Sequence, residues 1–284
     1  MAVRKVGVVG CGLMGSGIAQ TCAQAGIETW VREVDRALLD KGLGRIREFL
    51  DGGVAKGKVA AEDRDRTLAQ LKGTTQLRDL EGCDLVIEAV PESLGVKLEI
   101  LRSLEPVVGA QAVIATNTSS LCVTEIAAAL TRPERVLGLH FFNPVPLMKL
   151  VEVIRALPTG DAAFHLARGF VQQIGKTAVV AKDTPGFVVN RLLVPYLLDA
   201  VRLLESGVAT REDIDNGMKL GCGHPMGPLT LLDFIGLDTT HSIADIMFEE
   251  FRQAQFAAPP LLKRMVLAGY LGRKSGRGFY DYTT

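Results

Sequence analysis

The chain has 284 residues, long enough for two domains that each bury a core. Lysine plus arginine equals aspartate plus glutamate at 32 each, so the formal net charge is zero, and nothing global draws the chain to nucleic acid or to an anionic membrane. Five cysteines (Cys11, Cys22, Cys83, Cys122, Cys222), odd in number and without CxxC spacing, argue for reduced core or turn residues rather than disulfides, and no metal site is expected.

No apolar run reaches the ~18 residues that a bilayer span needs, and even Leu192 to Leu198 stops at Asp199. The first strand is expected from about Val3, which leaves no length for a signal peptide. A soluble cytoplasmic protein is the expectation, although removal of a transit peptide would leave the same sequence.

Near the start, an apolar strand runs into Gly10-Cys11-Gly12-Leu13-Met14-Gly15 and then into Ile18, Ala19, Cys22 and Ala23 at helical spacing. A GxGxxG turn between a strand and a helix reads as a dinucleotide site. Gly10 permits the tight turn, Gly12 admits a pyrophosphate, and Gly15 lets helix and strand pack closely. The anion then faces unpaired N–H groups at the positive end of the helix dipole.

A second strand, Thr29 to Arg32, leads to Glu33, eighteen residues after Gly15. That is close to the ~20 expected for the acid that binds the adenosine ribose. A carboxylate there accepts from a 2′-hydroxyl and repels a 2′-phosphate, so NAD is favoured and NADP is less likely. Arg32 and Arg36 blur the preference, unless both are solvated surface charges.

Helical stretches over about Ala37 to Lys56 and Glu62 to Gln70 read as a helical hairpin. Arg45, Arg47, Lys56 and Lys58 on it are either a solvated face or a meeting point for a phosphate-bearing ligand. Cys83 to Val90 is the apolar run expected of a parallel strand buried on both faces. A helix follows from Pro91, with Leu94, Leu98, Leu101 and Leu104 on one side.

Ala112 to Ala115 reads as a strand ending in polar Thr116-Asn117-Thr118-Ser119-Ser120, and Thr124 to Leu130 as a short helix. Further strands are expected over Val136 to Leu139, Leu150 to Ile154 and Thr177 to Val180. The alternation indicates an α/β, doubly wound, mostly parallel sheet, in which ligands bind beyond the C-terminal strand ends. This first domain is expected over 1–183.

From 184 to 284 the strand-like runs disappear. Phe187 to Glu205, Arg211 to Leu220, Pro228 to Ile235 and Asp238 to Phe251 read as helices of a second domain. Their long apolar faces fit a homodimer interface as well as a core.

His140 ends a strand on the ligand side of the sheet. Glu152 sits inside the apolar strand Leu150 to Ile154, where an unpaired carboxylate would be costly to bury. A strand, loop, strand excursion joins the two and would let them meet. The pair is either structural or catalytic; in the catalytic case the carboxylate fixes the imidazole tautomer, and the other ring nitrogen acts as general base.

Beyond these patterns, the chain resembles the L-3-hydroxyacyl-CoA dehydrogenase family over nearly its whole length. The matching stretches are Gly10 to Gly15, Asp84 to Glu92, Asn117 to Leu121, Gly138 to Glu152, Lys182 to Arg191, Pro225 to Pro228 and Lys274 to Tyr280. His-Phe-Phe-Asn-Pro (140–144) and Pro-Gly-Phe (185–187) are far more specific than the glycine turn. The resemblance implies a Rossmann-type domain with a helical hairpin insertion and a smaller all-α domain. It also implies an NAD-dependent oxidoreductase that interconverts L-3-hydroxyacyl-CoA, short-chain 3-hydroxybutyryl-CoA foremost, and 3-ketoacyl-CoA.

On that resemblance His140 exchanges the hydroxyl proton and Glu152 orients it. Ser119 bonds the substrate hydroxyl, Asn190 lies near the thioester carbonyl, and Asn143 falls beside the substrate. Glu92, Lys97 and Lys274 match cofactor-contacting positions, though a hydrated surface pair is another reading of Glu92 and Lys97. Lys56 matches a residue that meets a CoA phosphate. The family's serine seven positions earlier is Phe49 here, so that contact is absent or rebuilt. Two other classes share parts of the pattern. A crystallin-like dinucleotide binder has no physical need of the His140, Glu152, Ser119 and Asn190 set. Dehydrogenases of free 3-hydroxyacids resemble a lysine-dependent pattern that His-Phe-Phe-Asn-Pro does not fit.

Overall fold

The computed structural model describes residues 2–283; Met1 and Thr284, the outer ends of the two expected domains, lie outside them. The chain divides into two compact units, one running to Thr184 and one starting at Pro185. The first unit is built on a sheet of strands β1 (Lys5–Val9), β2 (Glu28–Arg32), β3 (Leu71–Thr74), β4 (Leu85–Glu88), β5 (Val113–Thr116), β6 (Val136–Phe141), β7 (Leu150–Arg155) and β8 (Thr177–Lys182). Their order is β3-β2-β1-β4-β5-β6-β7-β8.

Every neighbouring pair from β3 through β6 is parallel. Strand β7 then runs antiparallel to β6, and β8 follows β7 in parallel. The central strands β4 and β5 are buried at every position, as a parallel strand covered on both faces requires. Near the edge, β2 alternates buried and half-buried residues.

Six helices cover this sheet among the described residues: α1 (Leu13–Gln24), α2 (Arg36–Ala55), α3 (Ala61–Ala69), α4 (Leu94–Leu104), α5 (Val123–Ala128) and α6 (Asp161–Gln173). The expected hairpin is α2 with α3. Asp35 starts α2 by accepting the Leu38 N–H at 2.8 Å, an N-cap that satisfies an otherwise orphaned donor. In this unit one strand and one α-helix were not expected from the sequence, as α11 (Pro260–Leu267) was not in the second unit. Strand β3 is four residues at the sheet edge with two exposed, too short and polar to carry a pattern. Helix α6 buries Phe164, Ala167, Phe170 and Val171 and packs on β6, β7 and β8.

The second unit is helical: α7 (Val189–Glu205), α8 (Arg211–Cys222), α9 (Pro228–Ile235), α10 (Leu237–Phe251) and α11 (Pro260–Leu267). Val194, Leu197, Leu198, Val201, Leu229, Leu232, Ala244, Met247, Phe256 and Leu262 form its core. Two buried carboxylates secure its C-terminal segment: Asp233 accepts the N–H groups of Phe279 and Tyr280, and Asp215 accepts the Tyr280 hydroxyl. Among the described residues no helix is long and apolar enough to cross a membrane.

Candidate active site

The glycine turn joins β1 to α1. Gly10 has φ 96°, a left-handed value that a side chain tolerates poorly, and a Cβ there would lie 2.7 Å from the Ala89 carbonyl oxygen. A Cβ on Gly15 would overlap the Gly10 carbonyl, whereas one on Gly12 would meet nothing within 4 Å. Strand end, turn and helix start are thus pressed together everywhere except at Gly12, the helix cap. That open face, with the first-turn N–H groups of α1 beside it, fits a dinucleotide pyrophosphate.

Glu33 follows β2 directly. Its carboxylate accepts the Cys11 N–H and the Val34 N–H, each at 2.7 Å, so the acid expected at the ribose also holds the turn. Helix α2 approaches the same turn, where a Cβ on Gly42 would overlap the Cys11 side chain and carbonyl. One turn later Arg45 Nη1 donates to Cys11 O at 3.4 Å and Ser16 Oγ at 3.3 Å. Arg45 therefore leaves the solvated face, while Arg47, Lys56 and Lys58 stay on it. The paired surface reading of Arg32 and Arg36 also divides: Arg36 is exposed beside Asp40, but Arg32 Nε is buried without a hydrogen-bond partner.

Past the ends of β4 and β5 lies a buried charge network. Glu88, the last residue of β4, and Lys97 on α4 are both 0 % exposed and pair at 2.8 Å. Glu88 also accepts from the Thr116 hydroxyl at 2.6 Å and the Val90 N–H at 2.7 Å, so its desolvation is met by three donors. Glu92 joins the network at 3.2 Å from the Lys97 ammonium. Glu92 and Lys97 are therefore not a hydrated surface pair, since the lysine is sealed inside.

The other partners of Glu92 lie in the segment after β5. Its Oε1 accepts from the Thr118 hydroxyl, from the Ser119 N–H at 2.9 Å and from the Ser120 N–H at 3.3 Å. Burial works to raise the Glu92 carboxyl, but the Lys97 charge and these donors outweigh it and hold it below its ordinary value. Asn117 pins the neighbouring strand end, its Oδ1 accepting the Phe141 N–H at 2.9 Å. Neither Glu88 nor Asn117 stood out from the sequence. For Glu88 the signal was present, a carboxylate closing an apolar strand.

His140 and Glu152 come together. The two residues are paired in register across β6 and β7, and His140 Nδ1 lies 2.7 Å from Glu152 Oε2. Glu152 is fully buried, and a carboxylate accepts from an imidazole N–H, so the bond is satisfied with the proton on Nδ1. The Phe142 ring stands 4.4 Å from the imidazole, a nearby apolar wall. Asn143 is exposed in the loop that follows. Asp183, from the Lys182 to Arg191 stretch, accepts the Val123 N–H at 3.0 Å and so caps α5.

Asn190 and Lys274 belong to the second unit. Asn190 is half-buried in the first turn of α7, and Lys274 pairs with Asp238 at 2.6 Å. Among the described residues no group of three or more His, Cys, Asp or Glu side chains is placed to hold a metal ion.

Residues 5–184 match the NAD binding domain of 3-hydroxyacyl-CoA dehydrogenase and residues 186–282 match its C-terminal domain. A 3-hydroxybutyryl-CoA dehydrogenase of Mycobacterium tuberculosis is 53% identical over 283 residues, covering 99% of each chain. One from Bradyrhizobium diazoefficiens is 45% identical over 280 residues, covering 99% of this chain and 96% of that protein. Among solved structures, M. tuberculosis FadB2 has a TM-score of 0.98 at 53% identity, with both chains covered in full. The (S)-3-hydroxybutyryl-CoA dehydrogenase PaaH1 of Ralstonia eutropha has a TM-score of 0.96 at 44% identity, again over both whole chains. The chain belongs to the 3-hydroxyacyl-CoA dehydrogenase family and is an NAD-dependent oxidoreductase acting between 3-hydroxyacyl-CoA and 3-ketoacyl-CoA.

Proposed function

We propose that the preferred substrate pair is the short-chain one, L-3-hydroxybutyryl-CoA and acetoacetyl-CoA, with His140 as the acid–base group. The observation that carries the mechanism is the 2.7 Å hydrogen bond between His140 Nδ1 and a fully buried carboxylate that accepts it. Glu152 fixes the tautomer that leaves Nε2 basic and stabilises the imidazolium once His140 has taken the hydroxyl proton. NAD, when bound, supplies the hydride acceptor in the oxidative direction and the donor in the reverse. The short-chain preference is supported by the names of the bacterial relatives.

In this reading Ser119, held by Glu92, hydrogen-bonds the substrate hydroxyl, and Asn190 bonds near the thioester carbonyl, with Asn143 beside the acyl group. Gly10 to Gly15 take the pyrophosphate and Glu33 the ribose hydroxyls. Glu92 and Lys274 contact the cofactor, and Lys97, being sealed, acts through Glu92. Lys56, exposed just past α2, meets a CoA phosphate, while Phe49, exposed where the family has a serine, leaves that contact absent or rebuilt from other groups.

A cytoplasmic homodimer formed through the helical unit completes the proposal. The dimer is supported by Leu192 and Leu203, exposed eleven residues apart on one face of α7. Light scattering tests the dimer and cell fractionation the location. The decisive assay follows NADH oxidation with acetoacetyl-CoA and with longer 3-ketoacyl-CoA esters. Turnover greatest on acetoacetyl-CoA is expected, with free 3-hydroxyacids such as hydroxyisobutyrate inactive under NAD. Absence of turnover at every acyl length would overturn the reading.

A further inference from the structure

Lys176 lies between α6 and β8 and is 8 % exposed. Its ammonium donates to the Val145 carbonyl at 2.7 Å and to the Met148 carbonyl at 2.6 Å. No carboxylate among the described residues pairs with it. Burial pushes the Lys176 amine below its ordinary value, so its charge costs free energy in this position. A buried cation satisfied by carbonyl dipoles alone is explained by what those two bonds hold.

They hold the loop between β6 and β7, which separates His140 from Glu152. The loop is also closed on itself, with the Leu147 and Met148 N–H groups both donating to Pro144 O at 3.0 Å. Its other anchor is α1. A Cβ on Gly17 would lie 2.9 Å from Val145 Cβ and 3.5 Å from Pro146 Cδ, so the loop is seated directly on the helix backbone. Val145, 2 % exposed, thus has its side chain on the glycine-turn helix and its carbonyl on Lys176.

We propose that Lys176 is a positioning residue that clamps the Asn143–Met148 loop onto α1 at Gly17, fixing the catalytic strand pair relative to the dinucleotide helix. The inference rests on the assignment of His140 as the acid–base group. A reacting group displaced by about 1 Å can lose on the order of a hundredfold in rate while the ligands still bind. Lys176 touches neither cofactor nor substrate in this scheme. It sets the distance between the elements that do.

The test uses the full-length protein with Lys176→Met and Gly17→Ala, singly and combined. Hydrogen exchange comes first, because it does not depend on turnover. Faster exchange confined to Leu147 and Met148 is expected in Lys176→Met, with β1, β4 and β5 unchanged. Steady-state assays should then show kcat at least tenfold lower, with the KM for acetoacetyl-CoA and the NADH Kd within threefold of wild type. Because both lesions act on one loop, the double variant should lose less than the product of the single losses. Wild-type exchange with wild-type kcat in Lys176→Met, uniformly faster exchange across the sheet, or strictly multiplicative losses would each overturn the proposal. Should Lys176→Met not fold, Gly17→Ala decides alone, through loop exchange and the kcat against KM split. An inactive wild type with the loop exchange as expected would instead count against the His140 assignment.

Discussion

His140 and Glu152 face one another across the only antiparallel step among the described strands of the sheet, with Nδ1 2.7 Å from Oε2. The reversal at β7 brings residues twelve apart into register, and both strands are packed on either side. His140→Gln is expected to lower kcat by roughly 10²–10⁴, the usual share of general acid–base catalysis, with the NADH Kd little changed. Glu152→Gln should cost less alone, and the two losses should not multiply when combined, since the carboxylate acts through the imidazole. Stopped-flow turnover and fluorescence titration of NADH read the two quantities separately.

Glu92 supplies a pH dependence. Its folded carboxyl is held below the ordinary value by Lys97, Thr118 and Ser119 against the opposing effect of burial. The unfolded chain therefore binds this proton first as pH falls. The stabilisation from ionised Glu92 is complete above the unfolded value near ~4.3 and is lost as pH drops through the lower folded one. Thermal melts of wild type and Glu92→Gln should differ most at neutral pH and converge in acid. A gap independent of pH would contradict the ionised network.

Gly42→Ala sets two rules against each other. By helix propensity alone, alanine in α2 should stabilise by about 1 kcal/mol. The added methyl would overlap Cys11, and overpacking of this kind typically costs about 1–3 kcal/mol. Destabilisation in urea unfolding and weaker NADH binding are the expected results, because the displaced element is the glycine turn.

The thiols should separate cleanly. Burial, aided at Cys11 and opposed at Cys22 by neighbouring charges, pushes the Cys11 and Cys22 thiols up to about 12, and burial does the same to Cys83. Cys122 and Cys222 are exposed, but partial burial and the neighbouring Asp183 also push the Cys122 thiol up, so it should react more slowly than an unhindered thiol. Iodoacetamide at pH 8 is expected to leave two adducts on the native protein and five after denaturation, counted by intact mass.

Much of this site could be read from the residues, and each exception has its own physical cause. The glycine turn, Glu33 and the His140–Glu152 pair each carry a local signature: a forced backbone angle, a fixed spacing, a carboxylate in an apolar strand. Strand β3 escaped because it is four residues long with two of them exposed, whereas helix α6, packed on the strands that flank it, does place Phe164, Ala167, Phe170 and Val171 at helical spacing and was legible in principle. The sealing of Lys97 escaped because burial depends on packing, not on residue type. A lysine reads as solvated unless Glu88, nine residues earlier, is known to end its strand beneath α4. Lys176 is the same case, its acceptors being main-chain carbonyls that no side-chain pattern records.

The bond between Glu33 and the Cys11 N–H bears on redesign of cofactor preference. The usual route to a 2′-phosphate cofactor removes the acid after the second strand and installs a cation. Here that exchange would also strip the acceptor from the first amide after Gly10, leaving the glycine turn loose for either nucleotide. A successful swap has to restore an oxygen at that spot, for instance through a serine or asparagine at position 33, before a neighbouring cation can be of use.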